Sequence, residues 1–236
     1  MTVFGAVFAR GGSKGVPGKN LRTVGGIPLL GRAVAMGAAS PWIDRMLCST
    51  DSAEIAAVAQ SFGAEVPFLR PMVLSEDHSP EWGAWRHLAD FLVSTGASES
   101  DVLLSLPATS PLRSQKDIDN AIEAFGTNQF DIVLGVSEAT RSPWFNMVKR
   151  EATSLISLVC EPEGDPIVRR QDSPAVFDIT TVIYATTLRF IRSADGIFSG
   201  KVGSVLIPRE RALDVDTELD LEIAELVLKK RGVGEK

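Results

Sequence analysis

The chain has few groups that bind soft metals or form covalent staples. Its 236 residues include two cysteines and two histidines. Cys48 and Cys160 lie far apart with no Cys-x-x-Cys spacing, which implies no disulfide framework and fits a reducing compartment. Two histidines are too few for a histidine-rich metal site. There is no basic excess either: 24 Lys and Arg stand against 30 Asp and Glu, a net charge of −6. An acidic chain without a basic stripe is a poor partner for nucleic acid. No apolar run reaches the length of a membrane span. The apolar start, residues 1–9, carries no positive charge before it, and the first basic residue is Arg10. A secretory leader has the reverse order, so a soluble cytoplasmic protein is expected. Ordinary globular usage remains, with 44% hydrophobic and 23% charged residues. At this length one domain with an insertion is expected, with a core large enough to need no staple.

The pattern along the chain predicts an α/β fold. Residues 3–9 are an almost continuous apolar run, as in a strand buried on both faces. A glycine-rich loop follows over 10–20. Helical spacing is expected over 28–39, 53–62, 81–93, 117–125 and 219–228. Strands are expected over 45–49, 65–68, 102–106, 132–136, 182–185 and 202–207. Alternation of strand and helix means a mainly parallel sheet with helices on both faces. Residues 137–181 break that rhythm with prolines, scattered charge and short β-like pieces. They read as an excursion from the sheet, suited to contact between copies.

Several segments carry chemistry. In open α/β sheets ligands bind beyond the carboxyl ends of the strands, where the 10–20 loop lies. Gly11, Gly12, Gly15 and Gly18 let backbone N–H groups approach an anion, and Arg10, Lys14 and Lys19 add positive charge. The loop matches neither the dinucleotide fingerprint nor the P-loop, because Gly18-Lys19 is followed by Asn20. A flexible turn with solvated lysines is the plain alternative. Near the other end stands Asp214-Val-Asp216. In an extended segment residues i and i+2 share a face, so the two carboxylates can hold a hard cation such as Mg²⁺. Alternatively, Asp216 and Thr217 simply cap the next helix, with Asp220 completing a capping box. The two readings are compatible. Arg70 with Asp77, the stretch from Pro107 through Arg113, and Arg169-Arg170 are weaker anion-binding candidates, each more ordinary as structure when taken alone. His78 is a loop residue without a nucleophile to serve. His87, among Trp82 and Trp85, reads as packing.

Taken together these motifs are far more specific. Ala9-Arg-Gly-Gly-Ser-Lys-Gly-Val-Pro-Gly-Lys-Asn20 resembles the signature loop of cytidylyltransferases acting on sialic-acid-like sugars. Ser49-Thr-Asp51, Arg70-Pro71 with Asp77, Thr109-Ser-Pro-Leu-Arg113, Arg170-Gln171 with Pro174, and Asp214-Val-Asp-Thr-Glu-Leu-Asp220 follow in that family's order. The resemblance runs over residues 3–225. It implies a Rossmann-like, GT-A-like nucleotidyltransferase domain over 1–236, working as a homodimer with 137–181 as the dimerisation and sugar-site excursion. It implies CTP and a nine-carbon 2-keto sugar acid as substrates, Mg²⁺ as cofactor, and pyrophosphate as the second product. Arg10, Lys19, Asp214 and Asp216 would be catalytic, with both aspartates on the metal. Ala9, Gly11, Gly12, Ser13, Lys14, Asn20, Arg70 and Asp77 would bind the nucleotide. Thr109, Ser110, Arg170 and Gln171 would face the sugar.

Two departures bear on the acceptor. Pro107 stands where the sialic acid enzymes often have a sugar-contacting glutamine. Thr180-Thr-Val182 replaces their Asn-Gly-Ala before Ile183-Tyr184. The resemblance therefore supports cytidylyl transfer more firmly than any one sugar, and legionaminate and pseudaminate stand beside N-acetylneuraminate. Two other readings are a metal-dependent glycosyltransferase using an Asp-x-Asp, and a non-catalytic nucleotide-binding module.

Overall fold

The computed structural model describes residues 1–12, 15–161, 164–165 and 167–232. β1 (Val3–Phe8) leads through the glycine loop into a small hairpin of β2 (Thr23–Val24) and β3 (Ile27–Pro28), then α1 (Leu29–Ala38). β4 (Arg45–Ser49), α2 (Ala53–Ser61), α3 (Glu81–Ser94), β5 (Val102–Ser105), α4 (Gln115–Gly126) and β6 (Ile132–Glu138) follow. A hairpin of β7 (Val148–Arg150) and β8 (Ile156–Leu158) stands apart from the sheet. The chain returns through β9 (Phe177–Thr187), α5 (Leu188–Ser193), β10 (Val202–Leu206) and α6 (Glu218–Lys230).

Six strands form the main sheet in the order β10-β6-β9-β5-β1-β4. β1 pairs in parallel with β4 and β5, and β10 with β6, whereas β9 runs antiparallel between β5 and β6. The carboxyl ends of β1, β4 and β5 therefore meet at one edge, beside the entering end of β9. Backbone bonds extend that edge: Ala9 donates to the Ser49 carbonyl at 3.1 Å, and Arg70 to the Thr50 carbonyl at 2.7 Å.

Alternation along the strands divides the core in two. Val3 and Val7 of β1 and Val102 and Leu104 of β5 face α1, α4 and α6, where Leu30, Val34, Ile118 and Leu228 are buried. Phe4, Ala6 and Leu103 face the opposite layer, made by Trp85, Leu88 and Leu92 of α3 and Leu188 and Ile191 of α5. Burying one such leucine contributes about 1.5–3 kcal/mol. His87 packs edge-on against Phe68 at 4.5 Å, as its helical position implies.

Buried polar networks tie the segment after β5 to distant parts of the chain. The fully buried Asp117 accepts from the Ser114 N–H at 2.8 Å, closing the start of α4, and receives both Nε and Nη2 of Arg211 at 2.8–3.1 Å. Arg113 is buried and donates to the Pro107 carbonyl at 2.6 Å and to the Val182 carbonyl at 2.5 Å. Together they lock the segment after β5, the middle of β9 and the approach to Asp214.

The sequence expectations differ from the structure at three points. Residues 65–68 form no strand; single bridges join Leu47 to Glu65 and Thr50 to Leu69. The expected strand at 182–185 is the middle of a longer one, since β9 starts at Phe177, and the sheet also takes Ser137 and Glu138 into β6. The short helix α5 had no expectation. Among the described residues, no helix is long and apolar enough to cross a membrane.

Candidate active site

The loop after β1 folds back on itself through a side chain. Asn20, buried in the turn that begins at Lys19, donates Nδ2 to the Arg10 carbonyl at 3.0 Å. Gly18 precedes that turn in the left-handed region, with φ 63°, where glycine carries no Cβ penalty. The Gly11 N–H donates to Asp51 Oδ1 at 2.9 Å, so the end of β4 anchors the loop. Arg10 Nη1 meets Asp77 Oδ1 at 2.8 Å, and Ala9 is buried beneath.

The second half of the site arrives from the far end of the chain. The Val215 N–H donates to the Thr109 carbonyl at 2.9 Å, and the Val215 side chain is buried in the core. Asp214 and Asp216 accordingly lie on the other face of this extended segment. Lys19 Nζ reaches the Val215 carbonyl at 2.8 Å and Asp216 Oδ1 at 2.9 Å. The loop comes so close that a Cβ on Gly15 would sit 2.5 Å from the Asp216 carbonyl oxygen. Thr217 caps α6 in a capping box with Asp220, so capping and carboxylate presentation coexist.

Asp214 is a half-buried carboxylate with one orphaned oxygen. Its Oδ1 is buried and without a hydrogen-bond partner. Desolvation pushes its carboxyl above the usual aspartate range, and the neighbouring Asp216 adds to that. The Thr109 and Thr181 hydroxyls and the Lys19 ammonium oppose the shift. Two carboxylates on one face with an orphaned buried oxygen fit a hard divalent cation that keeps water and phosphate as its other ligands. Among the described residues no group of three or more His, Cys, Asp or Glu exists to complete a cage.

A third group closes the cleft. The buried Arg70 donates Nε to Ser75 Oγ at 2.9 Å and lies 4.0 Å from Asp51. Glu81 opens α3 and accepts from Trp85 Nε1 at 3.0 Å. The residue as a whole is exposed, but protein packed around its carboxyl raises it above the usual range, with Asp214 adding to the shift and Trp85 and Arg70 opposing it. Burial pushes the Tyr184 phenol up to about 12, and the nearby Glu81 and Asp214 charges reinforce this.

A cleft of about 410 Å³ is lined by Arg10, Lys19, Asn20, Arg70, Asp77, Glu81, Thr109 and Asp216, while Asp214 is not part of that lining. The expected convergence of the two chain ends is therefore present. Not every expected residue joins it. Ser110 is buried, shares a hydrogen bond with Thr181 at 2.8 Å and lines a different groove beside α1. Arg170 donates to the Ala139 carbonyl at 2.8 Å, in a separate groove under the excursion. Gln171 sits in the same short turn and does not line the cleft. Gly12 is exposed at the loop, and the expectations for Ser13 and Lys14 lie outside the described residues. Reasoning from sequence gave no role to Asp51, Glu81, Thr181 or Tyr184. An acidic residue opening a helix is commonplace, so Glu81 carried no signal.

Comparison with known proteins places this cleft in context. The family model described as Cytidylyltransferase matches residues 5–182. Over 230 residues the chain is 30% identical to the post-translational flagellin modification protein B of Campylobacter coli, covering 98% of this chain and 96% of the relative. It is also 30% identical, with the same coverage, to the CMP-N,N'-diacetyllegionaminic acid synthase of Campylobacter jejuni. Among solved structures, a CMP:2-keto-3-deoxy-manno-octonic acid synthetase complexed with CTP superposes with a TM-score of 0.71 at 15% identity, covering 98% of this chain and all of that one. At that identity the likeness shows the fold.

Proposed function

The chain belongs to the cytidylyltransferase family, and from that premise we propose that it transfers CMP from CTP to the anomeric hydroxyl of a nine-carbon 2-keto sugar acid. The observation that carries this reading is the contact of Lys19 with Asp216. It puts the anion-binding loop and Asp216 into one cleft, with Asp214 two residues from it in the chain. A similar synthase acting on a legionaminic acid supports a sugar acid of that class as acceptor.

In the free cleft the cations are held by carboxylates, Arg10 by Asp77 and Lys19 by Asp216. A triphosphate exchanges these partners. Arg10 and Lys19 then face phosphate oxygens and offset the negative charge that develops as the acceptor oxygen bonds to the α-phosphorus and the bond to pyrophosphate breaks. Asp216, once exchanged from Lys19, and Asp214 are the residues that would hold Mg²⁺. Bound there, Mg²⁺ would supply charge neutralisation at the phosphates. Asn20 keeps the loop closed while Arg70 helps place the nucleotide, and Thr109 lies on the acceptor side.

Arg170 and Gln171 lie outside this cleft within one chain; a second copy whose excursion reached over the cleft would bring them to the sugar, whereas Ser110 is committed to Thr181. The excursion suits that arrangement. Met147, Val148, Leu155, Ile156 and Val168 are each exposed there, apolar surface that association between copies would cover. A cytoplasmic homodimer of a single domain, with the segment between β6 and β9, residues 139–176, as the arm between copies, completes the reading; the ends of the expected 137–181 excursion belong to the main sheet.

A pyrophosphate-release assay tests it. CTP and Mg²⁺ are offered with N-acetylneuraminate, legionaminate and pseudaminate, then with each other nucleoside triphosphate. Pyrophosphate formed from CTP with at least one acid is the expected result. Silence across the panel, or hydrolysis of a nucleotide sugar instead, overturns the proposal.

A further inference from the structure

Two carboxylates that line the cleft, Glu76 and Glu81, take no part in the proposed transfer, and of these Glu81 has a side-chain partner among the hydrogen bonds of α3. Glu81 is exposed along the lining of the cleft into which the proposed function brings an anionic triphosphate and an anionic acceptor, and no lysine or arginine lies within ion-pair distance of it among the described residues. A carboxylate there repels both substrates unless it meets a neutral hydrogen-bond donor on one of them. Trp85 Nε1 fixes one oxygen, Oε1, at 3.0 Å. The other, Oε2, accepts from no described residue.

The surroundings select which donor. Phe8, Leu74 and Ala84 line the same cleft and supply apolar wall. Phe8 is held rigid by stacking on Trp85, with centroids 5.7 Å apart and planes 21° apart. α3 also packs closely on the turn before it, since a Cβ on Gly83 would lie 3.3 Å from Leu74 Cδ2. Arg70 is the cleft cation electrostatically coupled to Glu81. It makes two hydrogen bonds, to Ser75 and the Ser49 carbonyl, from a guanidinium with five N–H donors. An acceptor beside a donor-rich group, between apolar walls, complements a flat heterocycle that presents an amino group next to acceptors. Cytosine does so, with its 4-amino group beside N3 and O2. Uracil instead puts a carbonyl oxygen at position 4, facing the carboxylate.

We propose that Glu81 reads the nucleobase: its free carboxylate oxygen accepts from the cytosine 4-amino group and rejects uracil by opposing one acceptor with another. The inference rests on the nucleotide half of the proposed function and not on the acceptor, so binding tests it without turnover.

Calorimetry on the full chain with Mg²⁺ would compare CTP, UTP and the 4-deamino analogue of CTP. Wild-type protein is expected to prefer CTP over UTP by about 100-fold or more, as a site built for a hydrogen bond does, and to bind the 4-deamino analogue at least about tenfold more weakly than CTP. Glu81→Gln, whose amide can turn to donate, is expected to bring the CTP preference below about tenfold, chiefly by binding UTP more tightly. Glu81→Ala is expected to weaken CTP and to relieve the rejection of UTP, so that the CTP preference falls below about tenfold from both sides. Equal wild-type binding of CTP and the 4-deamino analogue overturns the proposal even if neither variant folds. So does a CTP preference in Glu81→Gln equal to that of wild type, with the effect falling on the acceptor KM alone. CTP-selective binding without turnover on any sugar acid would instead remove the proposed reaction and leave this assignment standing.

Discussion

Replacing Asp214 by asparagine should make the protein more stable and inactive. The carboxylate is half-buried, its Oδ1 has no hydrogen-bond partner, and Asp216 stands beside it. An unsatisfied buried acceptor costs about 1–3 kcal/mol, and a group that still reaches water sits near the low end. Removing the charge should therefore return about 1 kcal/mol, a rise of roughly 2–4 °C in Tm for a chain of this size. The pH dependence identifies the cause. Asp214's folded pKa lies above its unfolded value, so the folded state holds the proton more tightly. Stability from this group is present below the unfolded pKa and is lost as pH rises through the folded one. The advantage of Asp214→Asn should thus be full at neutral pH and shrink as pH falls toward the ordinary aspartate range, where wild-type Asp214 is already neutral. Turnover should fall by about 10²–10³, the usual cost of losing a charge-stabilising group. Melting curves from pH 4 to 8, with pyrophosphate release at neutral pH, measure both. A destabilised variant, or a stability difference that does not change with pH, would refute the reading of Asp214 as a strained carboxylate kept for function.

Other substitutions probe the same frame. Lys19→Ala should reduce turnover by about 10²–10³ while moving stability by no more than about 1 kcal/mol, because its partner Asp216 has a side chain 69% exposed; steady-state kinetics and thermal melts separate the two. Gly15→Ala should cost turnover by about tenfold or more, since its Cβ would meet the Asp216 backbone at 2.5 Å and push the carboxylates out of place. A fold-neutral variant with normal kinetics would show that the contact is not needed. Arg211→Ala should destabilise by about 3–5 kcal/mol, because it strips the fully buried Asp117 of its charge partner. Urea unfolding at neutral pH would read that loss directly.

Much of the fold was legible because burial on both faces leaves a plain mark. The runs at 3–9, 102–106 and 132–136 became β1, β5 and β6, and helices between them give a parallel sheet its covering layers. Strand direction has no such mark. β9 starts in a polar stretch, Asp178 to Thr181, that becomes strand only by pairing with β6, so its length and antiparallel course were hidden. α5 spans six residues, too few to show a helical period. In the site, glycine and lysine in one loop and paired aspartates in another were each ambiguous. Their order alongside the other motifs carried the expectation that they meet. That order cannot reveal which side chains point inward: Ser110 turns to Thr181, and Arg170 spends a donor on the Ala139 carbonyl. Glu81 was missed because its meaning depends on Trp85, Arg70 and the cleft they share.

The most direct test of the whole account follows the α-phosphorus. Protein, Mg²⁺ and CTP labelled at the α-phosphate would be incubated with a legionaminate-type acid, and the products separated. The account predicts label in a CMP-sugar, with one unlabelled pyrophosphate formed per transfer, and no such product from Lys19→Ala or Asp216→Asn. Label that stays in CTP with every acid tried, or transfer that survives both substitutions, would contradict it.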